Sequence, residues 1–187
     1  PEQRATFLRL MAAGLEQAGQ RESALEYYLK LIDLDRTHPA LESIDDSLAV
    51  RRDRWVQVRL AEMLLNGSPE IGEQMDRAVR ERLDAARAEP GPEGLRRFIS
   101  CFDGQPAAEA ARRELVDRLK QTGRLLEAEA ILLRRERSGD PAAAAAAVLE
   151  LAEMLRTAGA IDDAAACYAR LQGEFADVVV TGGKTGR

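Results

Sequence analysis

Two segments 140 residues apart share one skeleton: residues 18–31 read AGQRESALEYYLKL and residues 158–171 read AGAIDDAAACYARL. Each has alanine-glycine, a small residue five positions after the glycine, and a tyrosine four positions beyond that. A glycine set between two amphipathic stretches is the mark of a helical hairpin, because glycine closes a helix in the left-handed conformation. A lone hairpin of this kind cannot bury its own apolar face. A chain that repeats it is therefore bound to stack the copies on one another.

The flanking patterns agree with that reading. Residues 4–18 place Phe7, Leu8, Met11, Ala12 and Leu15 at helical spacing, Gly19 stops the run, and Ala24, Leu25, Tyr28, Leu31 and Ile32 share a face of a second helix over 21–34. The same grammar returns at 112–138, where Leu115, Val116 and Leu119 precede Gly123, and Ala128, Ile131 and Leu132 follow it. It returns again at 141–173. Asp140 is placed to cap that helix and Pro141 to fill its first turn. Val148, Leu151, Ala152 and Leu155 then lead to Gly159, with Ala164, Cys167, Tyr168 and Leu171 beyond it. The alanine run 142–147 reads as strong helix former.

The small residues at the presumed helix contacts are periodic. Ala128 and Ala164 are 36 apart, and Ala24 and Ala128 are 104 apart, close to three units of 35. A fourth unit fits between them, with Gly94 at the small position, Phe98 at the aromatic one and Pro106 closing it.

This pattern resembles the tetratricopeptide repeat, a helix pair of about 34 residues. Met11-Ala12, Gly19, Ala24 and Tyr28 match it in the first unit, and Leu151-Ala152, Gly159, Ala164 and Tyr168 in the last. The 112–138 unit departs, with Val116 for the small residue and Leu132 for the aromatic. The resemblance implies an all-α fold over residues 1–175, a right-handed solenoid of about nine helices in antiparallel pairs.

Residues 36–68 break the period and read as an insertion plus a helix, giving an irregular second unit. Pro39 and the SIDDS cluster mark a connection, and LAVRR can be extended. Asp53 is placed to cap a helix carrying Trp55, Val58, Ala61, Met63 and Leu65, which stops near Asn66-Gly67; Ser68-Pro69 then open a long helix to about Glu89. After Phe175 the character changes: ADVVVTGGKTGR is strand-and-turn chemistry, an extended tail over 176–187 that reads as the start of a β domain. VTGGKTGR is similar to the strand-turn of pyrroloquinoline-quinone-type β-propeller repeats at Thr185-Gly186, with Gly182 where an aspartate is expected. That likeness implies a helical segment of a large bacterial propeller protein in the periplasm or cell envelope; without it, the cytoplasm is expected. The opening PEQRATFL lacks an initiator methionine and signal-peptide features, and reads as the start of an excised piece.

Composition narrows the chemistry. Aromatics are only 4% of residues, consistent with closely packed helices, and the net charge of -5 mixes 27 basic with 32 acidic side chains. Even residues 76–97 set six arginines against five acids, which argues against a nucleic-acid partner. No apolar run reaches the roughly 18–20 residues of a membrane span. GGKTG lacks the glycine a phosphate loop needs, since Val178 stands there. The single His38 has no visible ligand or catalytic partner, and Cys101 and Cys167 read as buried free thiols. Asp162 and Asp163 favour a helix start, while Glu150 and Glu153 read as a solvated face. Neither a catalytic constellation nor a cofactor is expected.

Binding is the remaining expectation. In the tetratricopeptide family ligands lie in a groove lined by first helices. Register places Arg9, Ala13, Glu16 and Gln17 there in the first unit, Arg113, Asp117 and Lys120 in the unit at 112–138, and Glu153, Arg156 and Thr157 in the last. The family's lysine-asparagine carboxylate clamp is not present. Trp55 beside Arg51, Arg52 and Arg54 is a second candidate surface, against the alternative that Trp55 fills the insertion's core while the arginines pair with Asp45, Asp46 or Asp53. The expected partner is a protein, a peptide or another domain of the same chain, which makes the segment an interaction scaffold or, in the runner-up reading, a rigid spacer docking on a propeller or on itself.

Overall fold

A computed structural model describes residues 2–34, 41–43, 49–181 and 184–185. Nine α-helices account for most of them, with two minimal antiparallel strand pairs, so the fold is all-α in its framework. The chain divides into two compact units, 1–112 and 113–187.

In the first unit, α1 (Glu2–Gln17) packs along α2 (Arg21–Ile32). Ala5, Leu8 and Ala12 face inward from α1, and Ala24, Leu25, Tyr28, Leu29 and Leu31 from α2. Phe7, expected on the inner stripe, is 55% exposed: the buried helix face is centred on small residues, and Phe7 lies on the opposite side. Strands β1 (Leu41–Ser43) and β2 (Ala49–Arg51) pair antiparallel, which bears out the extended reading of LAVRR at Ala49, Val50 and Arg51, while Arg52 already begins a helix. Next comes α3 (Arg52–Asn66), which contacts α2 and two later helices, α4 (Pro69–Ala88) and α5 (Glu93–Phe102); these two pair with each other, and α4 also meets α2.

The α4–α5 crossing depends on Gly94. A Cβ there would lie 2.7 Å from the Ala86 carbonyl oxygen and 3.1 Å from Glu89 Cβ, so only glycine allows this approach. Pro106, read as the closure of a repeat, instead opens α6 (Pro106–Gln121), where a missing N–H costs nothing. The division between the units falls within α6.

In the second unit the end of α6 is followed by α7 (Leu125–Glu136), α8 (Pro141–Thr157) and α9 (Ile161–Glu174). α8 packs against both α7 and α9. Asp140 caps α8 by accepting from the Ala142 N–H at 3.0 Å, and Pro141 begins the helix. Two short strands, β3 (Val179–Thr181) and β4 (Lys184–Thr185), pair after α9, and β3 lies against α8.

Three hairpin turns have the same geometry. Gly19, Gly123 and Gly159 adopt φ of 76°, 73° and 83°. At each, the glycine N–H donates three residues back, to the carbonyl of Glu16, Lys120 or Arg156. The next N–H reaches five back, to Leu15, Leu119 or Leu155, which completes a Schellman closure. The small-position pairs Ala12 and Ala24, Val116 and Ala128, and Ala152 and Ala164 are buried in every case. The sequence echo is thus a conformational echo: one turn, built three times.

Candidate functional site

Trp55 sits early on α3, half-buried, its ring 5.6 Å from that of Tyr28 in an edge-on arrangement at 62°. The tryptophan therefore joins α3 to α2. The inward face of α3 carries Arg52, Asp53, Val56, Leu60 and Met63, whereas Val58 and Leu65 are 56% and 83% exposed. The helix starts one residue before Asp53, which is not its N-cap. Asp53 accepts from Arg51 Nε at 3.1 Å and Nη2 at 2.6 Å, and from the Arg54 N–H at 2.9 Å. Arg54 reaches Gln57 at 2.9 Å and Asp103 at 3.4 Å, and Arg112 on α6 also donates to Asp103. Arg52 is only 6% exposed, so it offers little surface to a partner. The Asp45 and Asp46 pairings, His38 and the tail glycines Gly182, Gly183 and Gly186 lie outside the described residues.

Of the first-unit groove residues, Gln17 is exposed, while Arg9, Ala13 and Glu16 are half-buried. Glu16 is engaged from two sides. Its Oε2 accepts from the Tyr28 hydroxyl at 2.7 Å, and its Oε1 from Arg59 Nη2 at 2.6 Å. Arg59 also holds Glu62 at 2.6 Å. Burial works against the Glu16 carboxylate, but hydrogen bonds from Arg59 and Tyr28 outweigh it and hold its pKa below the ordinary value. Burial, reinforced by the Glu16 charge, pushes the Tyr28 phenol up to about 12. Glu16 thus links α1, α2 and α3, an internal role that its groove register did not disclose.

The second unit brings several expected residues together. Lys120, Glu153, Arg156 and Thr157 line one cleft of about 410 Å³, with Leu125 and Met154 as its apolar wall. Arg113 and Asp117 lie exposed on α6. The cleft forms where α6 and α8 end, because both helices terminate in the same glycine turn and present their last side chains there. The Arg156 guanidinium has no ion-pair partner among the described residues, whereas Lys120 lies 3.3 Å from Asp117 and 3.5 Å from Glu150.

Glu150 corrects an expectation. It does not lie on a solvated face: its other oxygen accepts at 3.1 Å from Arg135, whose side chain is 5% exposed. The partners lie 15 and 30 residues away in sequence, on α7 and α6, so only the packing reveals them.

A further cleft, of about 290 Å³, lies in the first unit among α2, α4 and α5. The sequence signal for it was Phe98, read only as a packing aromatic. Cys101, on its wall, and Cys167 are both buried, and they are not joined in a disulfide. No group of three or more histidine, cysteine, aspartate or glutamate side chains suited to a metal occurs among the described residues, and no helix among them is long and apolar enough to cross a membrane. Comparison with family models, curated proteins and solved structures finds no match to this chain.

Proposed function

We propose that this chain is a non-catalytic interaction scaffold, built from tetratricopeptide-like helix pairs that stack as a right-handed solenoid. The observation that carries this reading is the cleft that gathers Lys120, Glu153, Arg156 and Thr157 where α6 and α8 end. The thrice-built glycine turn supports the repeat, and a repeat displays equivalent side chains in series, which suits recognition of an extended protein or peptide. Arg156 adds a charge available to a ligand rather than spent internally.

The test is retention of a protein or peptide partner by the immobilised chain, repeated with Arg156→Ala and with Arg9→Ala plus Lys120→Ala. Loss of binding in those variants, with unchanged helicity, supports the groove. Loss only in Trp55→Ala moves the site to α3, and equal binding by all variants refutes both.

A second reading, a spacer that packs on an adjacent pyrroloquinoline-quinone-type propeller, is favoured by the β3–β4 pair that follows α9. It predicts that a longer fragment, extended beyond Arg187, protects this strand pair from amide exchange.

A further inference from the structure

Helix α1 carries an uncharged stripe opposite its buried face. Gln3, Phe7, Leu10, Gly14 and Gln17 recur at spacings of three and four, and all five are exposed, Phe7 and Leu10 to 55% and 58%. None is charged, in a chain where 32% of residues are. The charged residues of α1, which are Glu2, Arg4, Arg9 and Glu16, fall to either side of the stripe.

Repeat register shows what such a face does elsewhere in the chain. Ala12 and Ala152 hold the same repeat position, so Phe7, Leu10 and Gly14 correspond to Ala147, Glu150 and Met154 on α8. There Ala147 and Met154 are 1% and 5% exposed, and Glu150 accepts from Arg135 of α7 and Lys120 of α6. With this face α8 stacks on the helix pair that precedes it. On α1 the face is bare. A repeat that ends an array in water does so behind a polar outer surface, and Phe7 and Leu10 supply the opposite. Gly14 adds an independent sign. Glycine weakens a helix, and a Cβ at this position would meet nothing within 4 Å, so no contact inside the fold requires it. A glycine on an exposed helix face lets another backbone approach closely.

We propose that this face binds the same face of a second copy of the chain, α1 against α1, antiparallel across a two-fold axis. Two features select a copy of itself. A stripe without charge meets itself without like-charge repulsion. Its large and small residues also flank Leu10 almost evenly, Phe7 three positions before it and Gly14 four after. Antiparallel pairing then seats each Phe7 over the partner's Gly14, sets Leu10 against its counterpart, and brings Gln3 beside Gln17 at both ends. The inference goes beyond the scaffold reading. None of its residues lines the α6/α8 cleft, so either can fail while the other stands.

The experiment is sedimentation equilibrium of the full chain over a wide range of concentration, where reversible passage from monomer to twice that mass is expected. Leu10→Glu and Leu10→Lys each set like charges face to face and should each weaken the dimer at least tenfold. Helicity should hold in both, because Leu10 is exposed in the monomer. An equimolar mixture of the two variants should restore the dimer, since the two-fold then brings opposite charges together. Gly14→Leu should weaken the dimer by a similar factor while raising the monomer's unfolding midpoint. A monomer at every concentration would overturn the proposal and assign the face to a different helix pair. An open-ended series of larger assemblies would overturn it in favour of head-to-tail stacking. A dimer undiminished in Leu10→Glu, or mixed variants that fail to pair, would equally overturn it, because Leu10 would then not face its counterpart.

Discussion

The Tyr28 hydroxyl donates to Glu16 Oε2 at 2.7 Å, while Arg59 grips the other oxygen of the same carboxylate at 2.6 Å. One carboxylate thus ties the first hairpin to α3. Trp55, edge-on to the Tyr28 ring, reports on the same junction optically.

Removing the hydroxyl tests the junction directly. Tyr28→Phe keeps the packed ring and deletes one bond to a charged acceptor, at a cost of about 1–2 kcal/mol. Urea titration followed by Trp55 fluorescence should show the lower midpoint with an unchanged slope. Equal midpoints would mean that the hydroxyl contributes nothing.

The junction also sets a pH response at both ends. Tyr28 is raised in the folded state, so its contribution is complete below the unfolded tyrosine value of about 10 and is lost as pH rises from there towards about 12. Glu16 is lowered when folded, so its contribution is present above about 4.3 and is lost as pH falls through the folded value. Stability measured against pH should therefore have an alkaline limb that flattens in Tyr28→Phe and an acid limb that flattens in Glu16→Gln.

The three turn glycines should respond alike. Alanine at Gly19, Gly123 or Gly159 must adopt a φ near +80° with a Cβ, costing about 1–2 kcal/mol at each site. Gly94→Ala acts differently, through collision with the Ala86 backbone, and should exceed them. Thermal unfolding of the four variants would separate strain from collision by whether the first three cluster together.

How far the residues announce these features depends on whether the cause is local. The turns at Gly19, Gly123 and Gly159 and the cap at Asp140 were legible because glycine handedness and capping involve neighbouring residues. The inward face of α3 was not. Its apolar residues fall on two sides of the helix, and burial of Arg52 and Asp53 selects Val56, Leu60 and Met63 over Val58 and Leu65. Among the candidate site residues, the convergence of Lys120, Glu153 and Arg156 followed from repeat register, whereas the internal engagement of Glu16 depends on Arg59, 43 positions away.

Glu150 shows the same distinction in energy. Its bond to the nearly buried Arg135 is sheltered from solvent, whereas Lys120 approaches it at 3.5 Å with its side chain a third exposed. Glu150→Ala leaves the Arg135 charge with a lost acceptor inside the fold and should cost about 1.5–3 kcal/mol. Lys120→Ala removes a solvent-screened contact, worth about 0–1 kcal/mol. Chemical denaturation in low and high salt separates the two: salt should erase most of the Lys120 effect and little of the Glu150 effect. If both variants unfold at the same denaturant concentration, Arg135 does not depend on Glu150 and the α7–α8 contact is held by its apolar residues alone.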